Sequence, residues 1–249
     1  MTITTLATQS PQAPTAAPEN AVQTISLQKS IDERPILRDI NLSIPVARYV
    51  SLLGANGAGK TTLLKILATL IPPTAGELKL FGQTVSRDGW AARRRIGLIG
   101  HQSMLYRDLS ALENLIFFGR LYCIPDPDKR AKSLLKTVGL LDRADDPVKS
   151  LSRGMTQRIA IARALIHDPD LLLADEPFDG LDAPSSDALE KFLAVLHSSG
   201  KTIILANHDI AQSLRLSQRA IVLRKGQIVI DQPSSQLTSA TILQEMQTP

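Results

Sequence analysis

The feature that most constrains this 249-residue chain is one octapeptide, Gly54-Ala-Asn-Gly-Ala-Gly-Lys-Thr61. It matches the pattern G-x-x-x-x-G-K-[ST]. It lies between an apolar run, Tyr49-Val-Ser-Leu-Leu53, and a segment with helical spacing of Leu and Ile from Lys60 to about Leu70. That strand–loop–helix context is what the pattern requires. Glycines let the backbone curl so that its N–H groups converge on an anion, and the following helix adds its positive end. Gly54, Ala55, Asn56, Gly57, Ala58, Gly59, Lys60, Thr61 and Thr62 are therefore candidates for cradling a nucleotide's phosphates. Lys60 would reach the β- and γ-phosphates, and the Thr61 hydroxyl would ligate Mg²⁺.

The rest of the pattern fits such a fold. Short apolar runs at Val22–Lys29 and 40–44 resemble a small antiparallel layer. Runs at 78–81, 96–99, 171–174, 202–206 and 220–223 alternate with helical stretches, including one at 187–198. This indicates an α/β fold with a mostly parallel sheet. A Lys225-Gly226 turn precedes a last strand at 227–230. Between them, about 103–165 reads as an inserted helical subdomain broken by Pro125, Pro127 and Pro147. Residues 1–20, rich in Thr, Ala, Pro and Gln, read as a flexible tail. The main domain spans 21–232, and 233–249 reads as a C-terminal tail.

Composition narrows the partners. Aromatics are 4% of residues, against a base-stacking nucleic-acid binder, so no nucleic acid is expected. Cys123 is the only cysteine, which excludes an internal disulfide and a cysteine-based zinc site. No run approaches the roughly 18 apolar residues of a spanning helix, and no secretory signal opens the chain. The expectation is a cytoplasmic protein.

Leu171-Leu-Leu-Ala-Asp175-Glu176 reads as a strand buried on both faces that ends in two acids. Ligands bind beyond the carboxyl ends of parallel strands. Asp175 is thus placed to hold Mg²⁺, and Glu176 to polarise an attacking water. Gln102 and His208 end apolar runs in the same way. Parallel strands would bring Gly54, Gln102, Asp175 and His208 to one sheet edge. His101, His167 and His197 have no such context and read as structural or solvated.

Leu151-Ser-Arg-Gly-Met-Thr-Gln-Arg158 resembles the LSGGQ signature of ABC-type ATPases. The order of phosphate loop, Gln102, signature, Asp175-Glu176, Gly180-Leu-Asp182 and His208 extends that resemblance over about residues 22–232. It implies a P-loop NTPase of the ABC ATPase fold, in a head-to-tail homodimer or heterodimer, with the homodimer the expectation. Two ATP molecules would each lie between one chain's phosphate loop and the other's Ser152 and Gly154. It further implies Glu176 as general base, His208 on the γ-phosphate, Gln102 as a sensor of Mg²⁺ and nucleophile, and Asp182 coupling the halves. Asp182 equally reads as a helix N-cap. The helical subdomain would dock an integral membrane permease, placing the chain on the inner face of the cell membrane.

Two departures stand out. Arg153 and Met155 replace a Gly and a Gln of the signature. The adenine-stacking aromatic is missing, with Ser30-Ile31 in its place, at a cost of roughly 0.5–1.5 kcal/mol of aromatic geometry. Gly100–Leu115, 119–122 and 152–155 are similar to ATP-binding subunits of the cytochrome c maturation (haem exporter) group. They are also similar to drug- and polysaccharide-type exporters. A soluble non-transport ABC ATPase and a non-hydrolysing nucleotide-dependent module are the other readings. Glu176 together with His208 argues against the last.

Overall fold

A computed structural model describes residues 20–85, 89–100 and 102–247. Of the expected flexible tail, 1–20, residues 1–19 lie outside the described residues, as does His101, while Asn20 already belongs to the first strand. The described chain opens with two long strands, β1 (Asn20–Ile31) and β2 (Arg34–Pro45), paired as a hairpin. After β3 (Tyr49–Leu53) and α1 (Lys60–Leu67) come β4 (Ala75–Leu80) and the short β5 (Gln83–Thr84). These complete an antiparallel sheet in the order β2-β1-β4-β5.

The second sheet carries the site. After α2 (Trp90–Arg93), β6 (Ile96–Ile99) leads into the helices α3 (Ala111–Leu121), α4 (Pro127–Thr137) and α5 (Arg153–Ala164). Then follow β7 (Leu171–Asp175), α6 (Ala183–Ser198), β8 (Thr202–Ala206) and α7 (Ile210–Leu216). β9 (Arg219–Arg224), β10 (Gln227–Pro233) and α8 (Ser239–Gln247) end the described chain. The sheet order is β10-β9-β3-β8-β7-β6. Every pairing from β9 to β6 is parallel, and only β10 runs antiparallel. All residues of β3, β7 and β8 are buried, as continuous apolar runs between two layers demand.

Two cores hold the layers together. Leu63, Leu64, Ile66 and Leu67 of α1 fill the space between the two sheets, against Leu27 and Leu37 on one side and Leu171 and Ile204 on the other. The opposite face of the parallel sheet packs against α5 and α6, and α3 and α4 join that core through Leu115 and Leu135. A capping box on Ser110 and Glu113 starts α3, and Asp126 caps α4 with Pro127 in its first turn.

Boundaries shifted where backbone chemistry outweighed apolar spacing. α1 stops at Leu67 instead of running to Leu70. Leu70 N–H bonds back to the Lys65 carbonyl, Thr69 takes a positive φ of 58°, and Pro72 follows. α6 starts four residues before the expected 187 because Asp182 accepts the Ser185 N–H and Pro184 suits the first turn. The segment expected as a C-terminal tail contains α8. This helix buries Ile242 fully against β9 and α7, and Arg224 pairs with Glu245 at 3.1 Å. Among the described residues no helix is long and apolar enough to cross a membrane.

Candidate active site

The loop between β3 and α1 is held by close contacts that only glycine permits. Gly54 has φ 150°, and a Cβ there would collide with the Leu223 carbonyl. Gly59 has φ 109°, and its Cβ would lie 2.7 Å from the Leu37 side chain. The Ala58 N–H bonds to the Ala55 carbonyl at 3.1 Å, and the Ala58 carbonyl accepts the Gly226 N–H at 3.1 Å. The predicted Lys225-Gly226 turn thus clamps the loop from below. Ala55, Asn56, Gly57 and Thr61 remain exposed, and Thr62 is half-buried.

Lys60 is 6% exposed and donates to the carbonyls of Gly54 (2.7 Å) and Ala55 (3.2 Å). Burial lowers its pKa, while Glu176 and Asp175 push it back up. An ammonium held this way is a cation in need of more negative charge than the two acids supply, which suits a phosphate.

Asp175 ends β7, 7% exposed, and pairs in register with Ala206 of β8. It lines a cleft of about 460 Å³ together with Thr61, Gln102 and Glu176. The parallel strands therefore do bring these residues to one edge. Thr61, Gln102 and Asp175 offer a hydroxyl, an amide and a carboxylate. An all-oxygen set of this kind fits Mg²⁺, which keeps several waters and takes phosphate oxygens for the rest.

Glu176 turns the chain sharply, with φ 51° and its N–H on the Ala206 carbonyl at 2.9 Å. Its side chain is 26% exposed, and Oε2 lies 3.9 Å from Nδ1 of His208. His208 follows β8 and projects outward, its side chain 61% exposed. Buried Asn207 anchors the backbone beside it by donating to Gln212 at 2.7 Å. The helix there is capped by Asp209, not by His208.

Ser152 caps α5 and accepts the Met155 N–H at 3.2 Å. Its hydroxyl hydrogen is left to donate. Ser152 and Arg153 are exposed, and no acid lies in the first turn. Arg153 lies against Gly180 and lines a second cleft, of about 290 Å³, with Arg107, Lys149, Glu176 and Asp179. Leu151, Arg153, Thr156 and Gln157 of the signature segment line this cleft beside Glu176, whereas Ser152 and Gly154 line neither of the two clefts.

Two residues escaped sequence reasoning. Arg163 is 9% exposed, donates to the Leu98 carbonyl at 2.6 Å and lies over the Phe118 ring. It ties the end of β6 to α3, and burial lowers its pKa. Nothing in the sequence separates it from a solvated arginine. Asp179 sits 4.0 Å from His208, and a third acid within five residues was the available signal. His167 stacks on Tyr122 at 3.8 Å and His197 contacts the Ala47 carbonyl, both structural placements.

Residues 37–179 match the family model described as "ABC transporter". The chain belongs to the ABC transporter family. The ABC ATP-binding protein NatA of Bacillus subtilis is 38% identical over 196 residues, covering 78% of this chain and 80% of that one. Nod factor export ATP-binding protein I of Paraburkholderia xenovorans is 35% identical over 227 residues, covering 90% and 75%. The solved ATP-binding cassette MJ0796, a dimer bound to ADP and Pi, superposes with a TM-score of 0.79 at 31% identity, covering 86% and 98%. As an ABC cassette, the chain binds and hydrolyses ATP.

Proposed function

We propose that this chain is the motor subunit of a membrane exporter. Two identical copies bind two ATP molecules head to tail and drive a separate integral membrane permease docked on the helical subdomain. The observation that carries the reading is the convergence of Thr61, Gln102, Asp175 and Glu176 on one cleft beside the phosphate loop.

The roles follow from position. Gly54, Ala55, Asn56, Gly57, Ala58, Gly59, Thr61 and Thr62 surround the phosphates with backbone and hydroxyl donors. Lys60 leaves its loop carbonyls for the β- and γ-phosphates, exchanging neutral acceptors for charged ones. Thr61, Gln102 and Asp175 would hold Mg²⁺, which would neutralise developing charge on the phosphate oxygens. Glu176 takes the proton of the attacking water, and His208 contacts the γ-phosphate. Ser152 and Gly154 of the second copy close the site by presenting a helix N-terminus to the same phosphate. Asp182, besides capping α6, lies on the turn that follows Glu176 and links the two halves. Adenine rests on aliphatic surface near Ser30 and Ile31.

The Nod factor export relative supports export, a phosphonates import ATP-binding protein of Trichormus variabilis is 41% identical over 210 residues, and neither supports haem as the cargo. The reading adopted is therefore the broader drug- and polysaccharide-type exporter, at the cytoplasmic face of the membrane, with no nucleic-acid partner.

The test is affinity capture of Glu176→Gln with MgATP from detergent-solubilised membranes. Integral membrane proteins recovered in fixed ratio are the expected result. Recovery of soluble proteins or ribosomes alone would replace the exporter reading with a soluble ABC ATPase.

A further inference from the structure

Three ionisable groups converge beyond the ends of β7 and β8. Glu176, Asp179 and His208 each place a side-chain donor or acceptor within 4.8 Å of the others. The cause is local. The Asp179 N–H bonds to the Glu176 carbonyl at 3.1 Å, closing a four-residue turn with Pro177 at its second position. Such a turn brings its first and fourth residues together. The turn is also gripped from α5. Gln157 donates to the Pro177 carbonyl at 3.1 Å, and the Arg153 guanidinium covers Gly180.

His208 Nδ1 stands 3.9 Å from a Glu176 oxygen and 4.0 Å from an Asp179 oxygen. One Nδ1–H can serve only one of them. If Glu176 takes it, the base loses acceptor capacity that the attacking water needs. Asp179, at the same range and closer to solvent, is the alternative acceptor.

We propose that Asp179 is a positioning residue: it accepts the Nδ1–H of His208, which frees Glu176 for the water proton and turns Nε2 away from both carboxylates toward the phosphate. This rests on the roles proposed for Glu176 and His208. The water oxygen bonds to the γ-phosphorus, its proton passes to Glu176, and the bond to the β–γ bridging oxygen breaks to leave ADP and phosphate. Asp179 neither gains nor loses a proton.

The experiment is steady-state ATP hydrolysis by the full chain carrying Asp179→Ala, with ATP affinity titrated in parallel. The expected result is a kcat lower by about tenfold, as misorientation of a contact group produces, with KM within about twofold. Asp179→Asn, whose amide oxygen still accepts Nδ1–H, restores most of the loss. In a His208→Ala background, Asp179→Ala removes nothing further from the residual single-turnover rate. Asp179→Leu keeps the branched outline without an acceptor, carries the same expectation as the alanine, and serves if that variant folds poorly. An unchanged kcat, a KM that rises in proportion, or an equal loss in the His208→Ala background overturns the proposal. Normal turnover by Glu176→Gln would instead overturn the base assignment beneath it. An inactive Glu176→Gln beside an unaffected Asp179→Ala removes only the positioning role.

Discussion

The helix that follows the phosphate loop and the helix that follows Ser152 are both proposed to aim an N-terminus at phosphate, yet their surroundings are opposite. α1 is enclosed between two sheets, its loop is clamped by Gly226, and its Lys60 is buried. It has no side-chain cap, because Gly59 occupies that position in a left-handed conformation. α5 carries its own cap, exposes Ser152 and Arg153, and meets no residue of the phosphate loop in either cleft. On the proposed reading, the first half of the site lies within one chain, while the second faces outward to be completed by another. A two-fold dimer satisfies both at once, because each chain presents the two surfaces to its mate.

The largest effect expected is on the step that needs both halves. Glu176→Gln is predicted to lower turnover about 10²- to 10⁴-fold, the usual worth of a general base. It retains MgATP and accumulates as a dimer. Size-exclusion chromatography with and without MgATP checks this, and a monomer under both conditions would contradict it.

A smaller effect isolates the enclosed half. Lys60→Ala removes a charged hydrogen bond worth about 1.5–3 kcal/mol. ATP affinity should fall roughly 10- to 100-fold, measured at protein concentrations too low for pairing. Unchanged affinity would place the nucleotide elsewhere.

The smallest effect isolates the open half. Ser152→Ala removes an N-cap, about 1 kcal/mol of local stability. It should leave the ATP affinity of the single chain unaltered. Its signature is a shift of ATPase activity to higher protein concentration. A loss of single-chain affinity would mean that the signature touches nucleotide in its own chain.

How much of this was legible in the sequence divides along the same line. The phosphate loop, Asp175 and His208 were legible because parallel strands place whatever ends them on one edge, and apolar runs reveal strands. Ser152 and Asp182 were legible because capping is local chemistry. Asp179 was not, because its place depends on a turn closed by one backbone hydrogen bond. Arg163 was not, because a buried cation that donates to the Leu98 carbonyl leaves no mark in spacing. α8 was not, because its short apolar face buries chiefly Ile242 and depends on β9 and α7 for packing. Arg153 remains the clearest local conflict. A cation at a helix N-terminus opposes the helix dipole, and its cleft holds Glu176 and Asp179 but also Arg107 and Lys149.

The central claim, that each chain holds half of each site, is tested most directly by complementation. Lys60→Ala disables the phosphate loop and leaves the signature intact. Gly154→Asp does the reverse, placing an anion where phosphate should lie. The fold has room for it, since a Cβ at Gly154 meets its nearest neighbours at 3.8 Å. Each variant alone should hydrolyse ATP at a small fraction of the normal rate. A freely exchanging equal mixture should recover about a quarter of it, because half the dimers are mixed and each mixed dimer has one intact site. A mixture no more active than the variants apart would contradict the account.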